Sequence, residues 1–313
     1  MNSVKVKKTD RGRMAKYFLS WVMLTLSVTA VIKAPSVCRS SVTNGLMICV
    51  RSVIPSIFPF AVISSLMSRI EPPSFVSRPL SKIFGISSAG SGAVVTGLVS
   101  GFPSGSICAV KLLKDGSVSR EEAERLICFT NNPSAAFLVG GVGAVCLNSA
   151  EAGVMLYVFQ LIVSVAVGVF LGKGKRGSVC VTHSGRSLSG ADVALSVRDA
   201  AGSVLTVSSF VVAFSVICGY FNAITESETL RCIVGGILEI SNGTAFLASF
   251  PADIKARYIL AGAFCGWSGL SVHFQVASFV CDQGVGMKKY YISKLFSALA
   301  MALLCALGAS YVF

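Results

Sequence analysis

The stretch GLVSGFPSGSIC, residues 97–108, decides how this chain is read. It lies within GAVVTGLVSGFPSGSICAVKLL, Gly92 to Leu113, which is apolar enough to be membrane-buried apart from Lys111 near its end. Glycine loses more conformational freedom in a helix than any other residue, and proline removes a donor and clashes with the preceding turn. Gly97, Gly101, Pro103 and Gly105 therefore predict a break in the middle of the segment. In a bilayer, irregular backbone persists only where protein or a water-filled cavity satisfies its N–H and C=O groups. The stretch thus reads as the tip of a re-entrant hairpin spanning 89–113.

The rest of the composition supports a lipid environment. Of 313 residues, 53% are hydrophobic and 13% charged, with a mean hydropathy of +0.75. Soluble domains carry about 25% charged residues, so this chain cannot clothe a water-facing surface. Tyr17–Ile32, Val53–Met67, Gly153–Leu171, Ser203–Ile224 and Leu295–Phe313 contain no charge, and Leu126–Leu147 and Tyr258–Val280 are apolar with polar clusters inside them. The runs are continuous rather than alternating, which argues against a β-barrel. The expectation is an all-α polytopic membrane protein of about seven spans plus re-entrant hairpins.

The excess of 27 Lys and Arg over 14 acidic residues does not indicate nucleic acid, because it is concentrated beside the spans. KVKKTDRGRMAK (5–16) and KGKRGSVCVTHSGR (173–186) flank apolar runs, so by the positive-inside rule both are placed in the cytoplasm, the N-terminus included. His183 in the second loop reads as solvated. The N-terminus also has the outline of a signal peptide, with small residues near 30–34, although the chain downstream spans in either case. The eleven cysteines are single and mostly inside apolar runs, which gives neither a disulfide framework nor a metal site. No nucleophile or metalloprotease motif is present, and no enzyme and no cofactor is expected.

A two-fold pattern runs through the chain. After the first hairpin, Ser119 and Glu122 carry capping-box spacing for a helix that is interrupted within ICFTNNPSAAFLVGG (127–141) at Asn131–Asn132–Pro133. Later, GGILEISNGTAFLASF (235–250) breaks at Ser241–Asn242–Gly243, and GAFCGWSGLSVHFQVASFV (262–280) breaks at Gly266–Gly269. This divides the chain into a basic N-terminus (1–16), a first span (17–34), repeat 1 (50–172), a basic cytoplasmic loop (173–199) and repeat 2 (200–313, hairpin 230–250). Treating both hairpins as re-entrant puts 21 of the 27 Lys and Arg on the cytoplasmic side and makes the repeats inverted.

Inverted hairpins and unwound helices that meet near the midplane build the substrate sites of many secondary transporters, with free helix N-termini facing anions. The candidate substrate contacts are Gly101, Ser104, Gly105 and Ser106 at the first hairpin, and Thr130, Asn131 and Asn132 at the first broken helix. Ser241, Asn242, Gly243 and Thr244 are their counterparts at the second hairpin, and Trp267 and Ser268 at the second broken helix. Ser, Thr and Asn also mediate ordinary helix packing, Trp267 fills a gap as readily as it stacks on a ring, and His273 reads as a packing residue. Glu239 is the one acidic residue in an uncharged apolar context, which makes it the candidate for proton or sodium coupling, against a local backbone cap.

GFPSG followed by KDGSVSREEAERLICFTNNPSAAFLVGGVGA resembles the sporulation integral membrane proteins that carry a nucleoside-recognition, or Gate, domain, distant relatives of the concentrative nucleoside transporters. The resemblance is strongest over 50–146 and weaker over 195–281. It implies a multi-pass protein of the cell membrane in a spore former, in the mother-cell membrane around the forespore, and a substrate such as dipicolinic acid, a planar pyridine dicarboxylate. It matches the family's glycine-rich hairpin to Gly101–Gly105, its Asn pair to Asn131 and Asn132, and its acidic position to Glu239. An anion and Glu239 repel unless the carboxyl is protonated, so the residues leave open a proton-coupled anion carrier and a nucleoside carrier. A non-transporting component of a spore-assembly complex is the third reading. The partners expected are small molecule and lipid, with a second copy or spore-assembly proteins left open and no nucleic acid.

Overall fold

Helix α1 (Asp10–Lys33) bends at Ala34 into α2 (Pro35–Ile48), a wider π-helical turn (Cys49–Val53) and α3 (Ile54–Met67), so that 35–67 forms one continuous run. The computed structural model describes residues 10–70, 72–177 and 187–313, so the basic residues before Asp10 and His183 with its neighbours lie outside the described residues. A short two-faced helix, α4 (Ser74–Phe84), leads to the first hairpin, α5 (Gly90–Ser100) and α6 (Ser104–Lys114), which pack on each other. Next come α7 (Arg120–Thr130), four non-helical residues (131–134), a π-helical segment (Ala136–Cys146) and α8 (Ala150–Gly172).

The second half repeats this order. A long α9 (Gly190–Ile224) precedes the second hairpin, α10 (Glu228–Leu238) and α11 (Ile240–Phe246). The broken pair α12 (Ile254–Trp267) and α13 (Gly269–Val280) follows, then α14 (Lys288–Val312). No strand occurs among the described residues. Ser189 and Asp192 close a capping box that starts α9 within the basic segment 173–199.

Five helical stretches are long and apolar enough to cross a bilayer: Gly12–Lys33, Ala150–Gly172, Gly190–Ile224, Ile254–Gln283 and Lys288–Val312. The two remaining crossings of the expected seven, 35–67 and 120–146, are assembled from shorter apolar pieces. Polarity is inverted relative to a soluble protein. On α14, Ile292, Leu295, Leu299, Leu303 and Leu307 are exposed, while Ser293, Lys294, Ser297 and Gly308 are buried. Lipid solvates the outer row, and small or polar groups let the backbones pack closely inside. α1 is the extreme case, with none of its apolar window buried.

The two hairpins point in opposite directions, and α9 is the ruler that shows it. Lys111, near the open end of hairpin 1, donates to Asp199 at 3.1 Å. Arg231, at the open end of hairpin 2, donates to the carbonyls of Asn222 (3.0 Å) and Thr225. Asp199 and Thr225 are 26 residues apart, or about 39 Å at 1.5 Å per residue, close to a bilayer with its headgroups. An 11-residue arm is about 16 Å long and cannot cross. Each hairpin therefore dips in from its own face. The 35–67 run lies antiparallel to α9, pinned by Tyr220 Oη to the Ala34 carbonyl (3.1 Å), Cys49 Sγ to the Ser208 carbonyl (3.6 Å) and Ser65 Oγ to Asp199 (3.0 Å).

Candidate substrate chamber and vestibule

Three of the four breaks meet, together with α13, which follows the fourth. Ser100 and Phe102 from the tip of hairpin 1, Ser134 and Phe137 from the first broken helix, Glu239 and Ser241 from hairpin 2, and Val272 and Gln275 from α13 line one cavity, closed laterally by Val53, Ile57, Val207 and Val211. Each tip seats against the broken helix of its own repeat. The Phe102 N–H donates to the Asn132 carbonyl, and a side chain on Gly101 (φ 81°) would run into the Ser134 backbone. In the other half, a side chain on Gly269 (φ 80°) would press on the Glu239–Ile240 backbone. Glycine is required at both positions by the backbone angle and by the close approach.

The cavity is narrow. It holds about 50 Å³, space for little more than water, against the ~300 Å³ and upward typical of small-molecule sites. Beside it lies a larger chamber of about 290 Å³ between α3, α6 and α9, lined by Ser64, Ser65, Ser104, Lys111, Lys114 and Asp199. Ser104 opens α6, so that the N-terminal end of this helix, where unpaired N–H groups favour negative charge, lies at the vestibule wall. Ser64 Oγ is buried there without a partner. Asp199 Oδ2 accepts from Ser65 (3.0 Å), Arg69 (3.0 Å) and Lys111 (3.1 Å), and Arg69 reaches Asp192 at 3.6 Å.

The residues singled out in the sequence divide between these spaces and the packing around them. Glu239 and Ser241 line the cavity, and Ser104 lines the vestibule. The second hairpin turns at Glu239 and not at Ser241–Gly243: Glu239 is the N-cap of α11, its carboxylate accepting from the Asn242 N–H at 2.8 Å. Ser241 and Asn242 are therefore helical, and Asn242 Nδ2 donates to Ser215 on α9 at 3.3 Å. Gly243 is the contact at which α11 crosses Gly236 of α10, and Gly105 serves hairpin 1 in the same way against Thr130. Thr130 and Thr244 hydroxyls bond back to Leu126 and Ile240 within their own helices. Ser106 is buried on α6. Asn132 faces α8, donating to Ser164 (2.8 Å) and accepting from Gln160 (3.1 Å). Trp267 donates to the Ile237 carbonyl (3.0 Å) and packs on His273 at 4.3 Å, so that it braces hairpin 2. Ser268 (φ 74°) makes the turn and donates to the Cys265 carbonyl. Ser119 caps α7 as its spacing indicates, but Glu122 does not close the box; its carboxylate accepts from the N–H (2.8 Å) and hydroxyl (2.6 Å) of Ser87.

Sequence reading missed the vestibule residues Ser64, Ser65, Lys111, Lys114 and Asp199, and with them one buried lysine. Lys294 is fully buried on α14, and its ammonium donates to the Asn131 carbonyl at the break of α7, beside Tyr290. Asn131 Nδ2 donates to Tyr290 Oη at 3.0 Å, and its own Oδ1 is buried without a partner. A lysine buried within a spanning helix is costly, yet this one sits where an unwound helix exposes a free carbonyl, the arrangement that holds coupling cations in broken-helix transporters. Beside a run of basic residues it reads as a flank. The usable signal was its place on the buried stripe Tyr290, Lys294, Ser297, Met301, Cys305, Gly308.

The chain is 23% identical to the sporulation integral membrane protein YlbJ of Bacillus subtilis (strain 168) over 339 aligned positions, covering 93% of this chain and 81% of the relative. The chain is thus similar, over nearly its whole length, to a sporulation integral membrane protein. The similarity extends over nearly all of both repeats, well beyond the motif at 101–146. No family model matches the chain, and no solved structure matches it.

Proposed function

We propose that this chain is a multi-pass membrane transporter or facilitator that serves spore formation and moves a small planar anion of the pyridine-dicarboxylate class, dipicolinic acid first among them. The observation that carries the reading is the meeting of both oppositely oriented hairpin tips, the break of the first broken helix and α13 around one cavity, with a vestibule beside it lined by Lys111 and Lys114. The spore-forming context is taken from the printed name of the relative. The vestibule, of a size for a small ligand, opens on the face that the charge pattern assigns to the cytoplasm, and the 50 Å³ cavity is the narrow passage beyond it. Transport then requires the hairpin tips to separate. The protein is not an enzyme on this reading, and protons are the proposed coupling ion, carried by Glu239 or Lys294.

The test is paired uptake of radiolabelled dipicolinate and uridine by cells expressing the full chain. Dipicolinate accumulation without uridine supports the proposal. Uridine accumulation alone assigns a nucleoside carrier. Uptake of neither, by protein that is folded and membrane-inserted, turns the reading to a structural component of a spore-assembly complex.

A further inference from the structure

A second basin lies on the same face as the vestibule but outside the path through the repeats. It measures about 630 Å³ and is bounded by α4 and the chain that leaves α8. The chain end is held against α4 by close backbone packing: side chains on Gly85 (φ 59°) and Gly177 would run into the Gly172–Lys175 carbonyls and the Ile86–Ser87 backbone. This brings Lys175 and Arg176 alongside Arg78 and Lys82, four cations in one basin. None of them has a carboxylate partner among the described residues. Ser81, on the wall, has its hydroxyl buried without a partner.

The neighbouring face of α4 has the opposite character. Phe75 and Ile83 are 79% and 50% exposed, and with exposed Pro79 they form a stripe at i, i+4 and i+8 beside the row of Arg78 and Lys82. An amphipathic helix with an exposed apolar stripe next to basic residues lies in the plane of a membrane interface. We propose that this basin binds the phosphate headgroup of an anionic phospholipid, whose acyl chains run along Phe75, Pro79 and Ile83. Clustered Lys and Arg at a membrane boundary attract anionic headgroups, and the guanidinium fork matches phosphate oxygens. A free phosphate would use the cations and leave the apolar stripe without a role, which is why the lipid is the occupant assigned.

Native mass spectrometry of the full chain in neutral detergent tests this with dioleoyl phosphatidylglycerol, dioleoyl phosphatidylcholine and glycerol phosphate as probes. Phosphatidylglycerol is expected to bind at least tenfold more tightly than phosphatidylcholine. The difference should vanish in Arg78→Gln/Lys175→Gln and persist in Lys255→Gln on the opposite face. Equal retention of both lipids, unchanged preference in the double variant, or displacement of the lipid by equimolar glycerol phosphate would each overturn the proposal. Should the double variant misfold, a photoactivatable phosphatidylglycerol on the unaltered chain decides: crosslinks on α4 support the site, and crosslinks only elsewhere reject it.

Discussion

Lys111 Nζ and Asp199 Oδ2 lie 3.1 Å apart, and this ion pair ties the first hairpin to the lead helix of the second repeat. Ser65 donates to the same carboxylate oxygen, so three elements from both halves meet at the vestibule wall. Both side chains are partly exposed, 24% and 39%, which puts the pair's stability contribution at about 0–1 kcal/mol. Its effect is expected in transport. Lys111→Met should lower dipicolinate uptake at least tenfold with the melting temperature almost unchanged. Asp199→Asn, which removes the carboxylate that holds Lys111 and leaves Arg69 to Asp192 and Ser196, should preserve or raise uptake. Equal losses in both variants would show that the contact matters only as a strut.

The close approach of hairpin 1 to α7 gives a stability prediction. A methyl group at Gly105 would collide with the Thr130 carbonyl oxygen and side chain, and overpacking of this kind costs about 1–3 kcal/mol. Gly105→Ala should therefore lower the thermal unfolding midpoint by several degrees. Gly140→Ala, in the π-helical segment where nothing lies within 4 Å, should leave it unchanged. Comparable midpoints for the two variants would contradict the packing.

Opposed hairpins make a topological prediction. In a cysteine-free background, Lys114→Cys and Glu228→Cys should each react with a membrane-impermeant maleimide from one side only, and from different sides. Labelling of both from the same side would remove the inversion.

Lys294 should be dispensable for folding and required for transport. Lys294→Met removes the insertion cost of a buried charge but leaves the Asn131 carbonyl without its donor, which costs about 1–3 kcal/mol, so the two effects offset each other. Uptake in proteoliposomes should fall at least tenfold while the unfolding midpoint holds. Lys294→Glu should not yield folded protein. A Met variant with full uptake would make the lysine a packing group.

Glu239→Gln separates the two candidate coupling residues. Glutamine can still accept from the Asn242 N–H, so the cap of α11 is retained. If Glu239 carries the proton, the pH dependence of uptake flattens. A profile identical to that of the unaltered chain assigns coupling elsewhere, with Lys294 the next residue to examine.

The sequence by itself determined the solvent, the all-α polytopic class and the positions of three of the four breaks, because each rests on local chemistry: apolar run length and backbone-breaking Gly, Pro and Asn. The fourth break moved two residues. Ser241–Asn242–Gly243 reads locally as a turn, but Gly243 is needed where α11 crosses Gly236, and Glu239 caps the helix in their place. Which polar residues face the cavity was legible for Glu239 and Ser241 and not for the others. Asn131, Asn132 and Trp267 sit at breaks, as their types indicate, yet partners supplied by α14, α8 and α10 turn them into the packing. Only the tertiary structure could decide this, since a side chain's partner in a bundle belongs to another helix often more than a hundred residues away. The same reason hid Lys294, whose meaning depends on the carbonyl of Asn131, 163 positions before it.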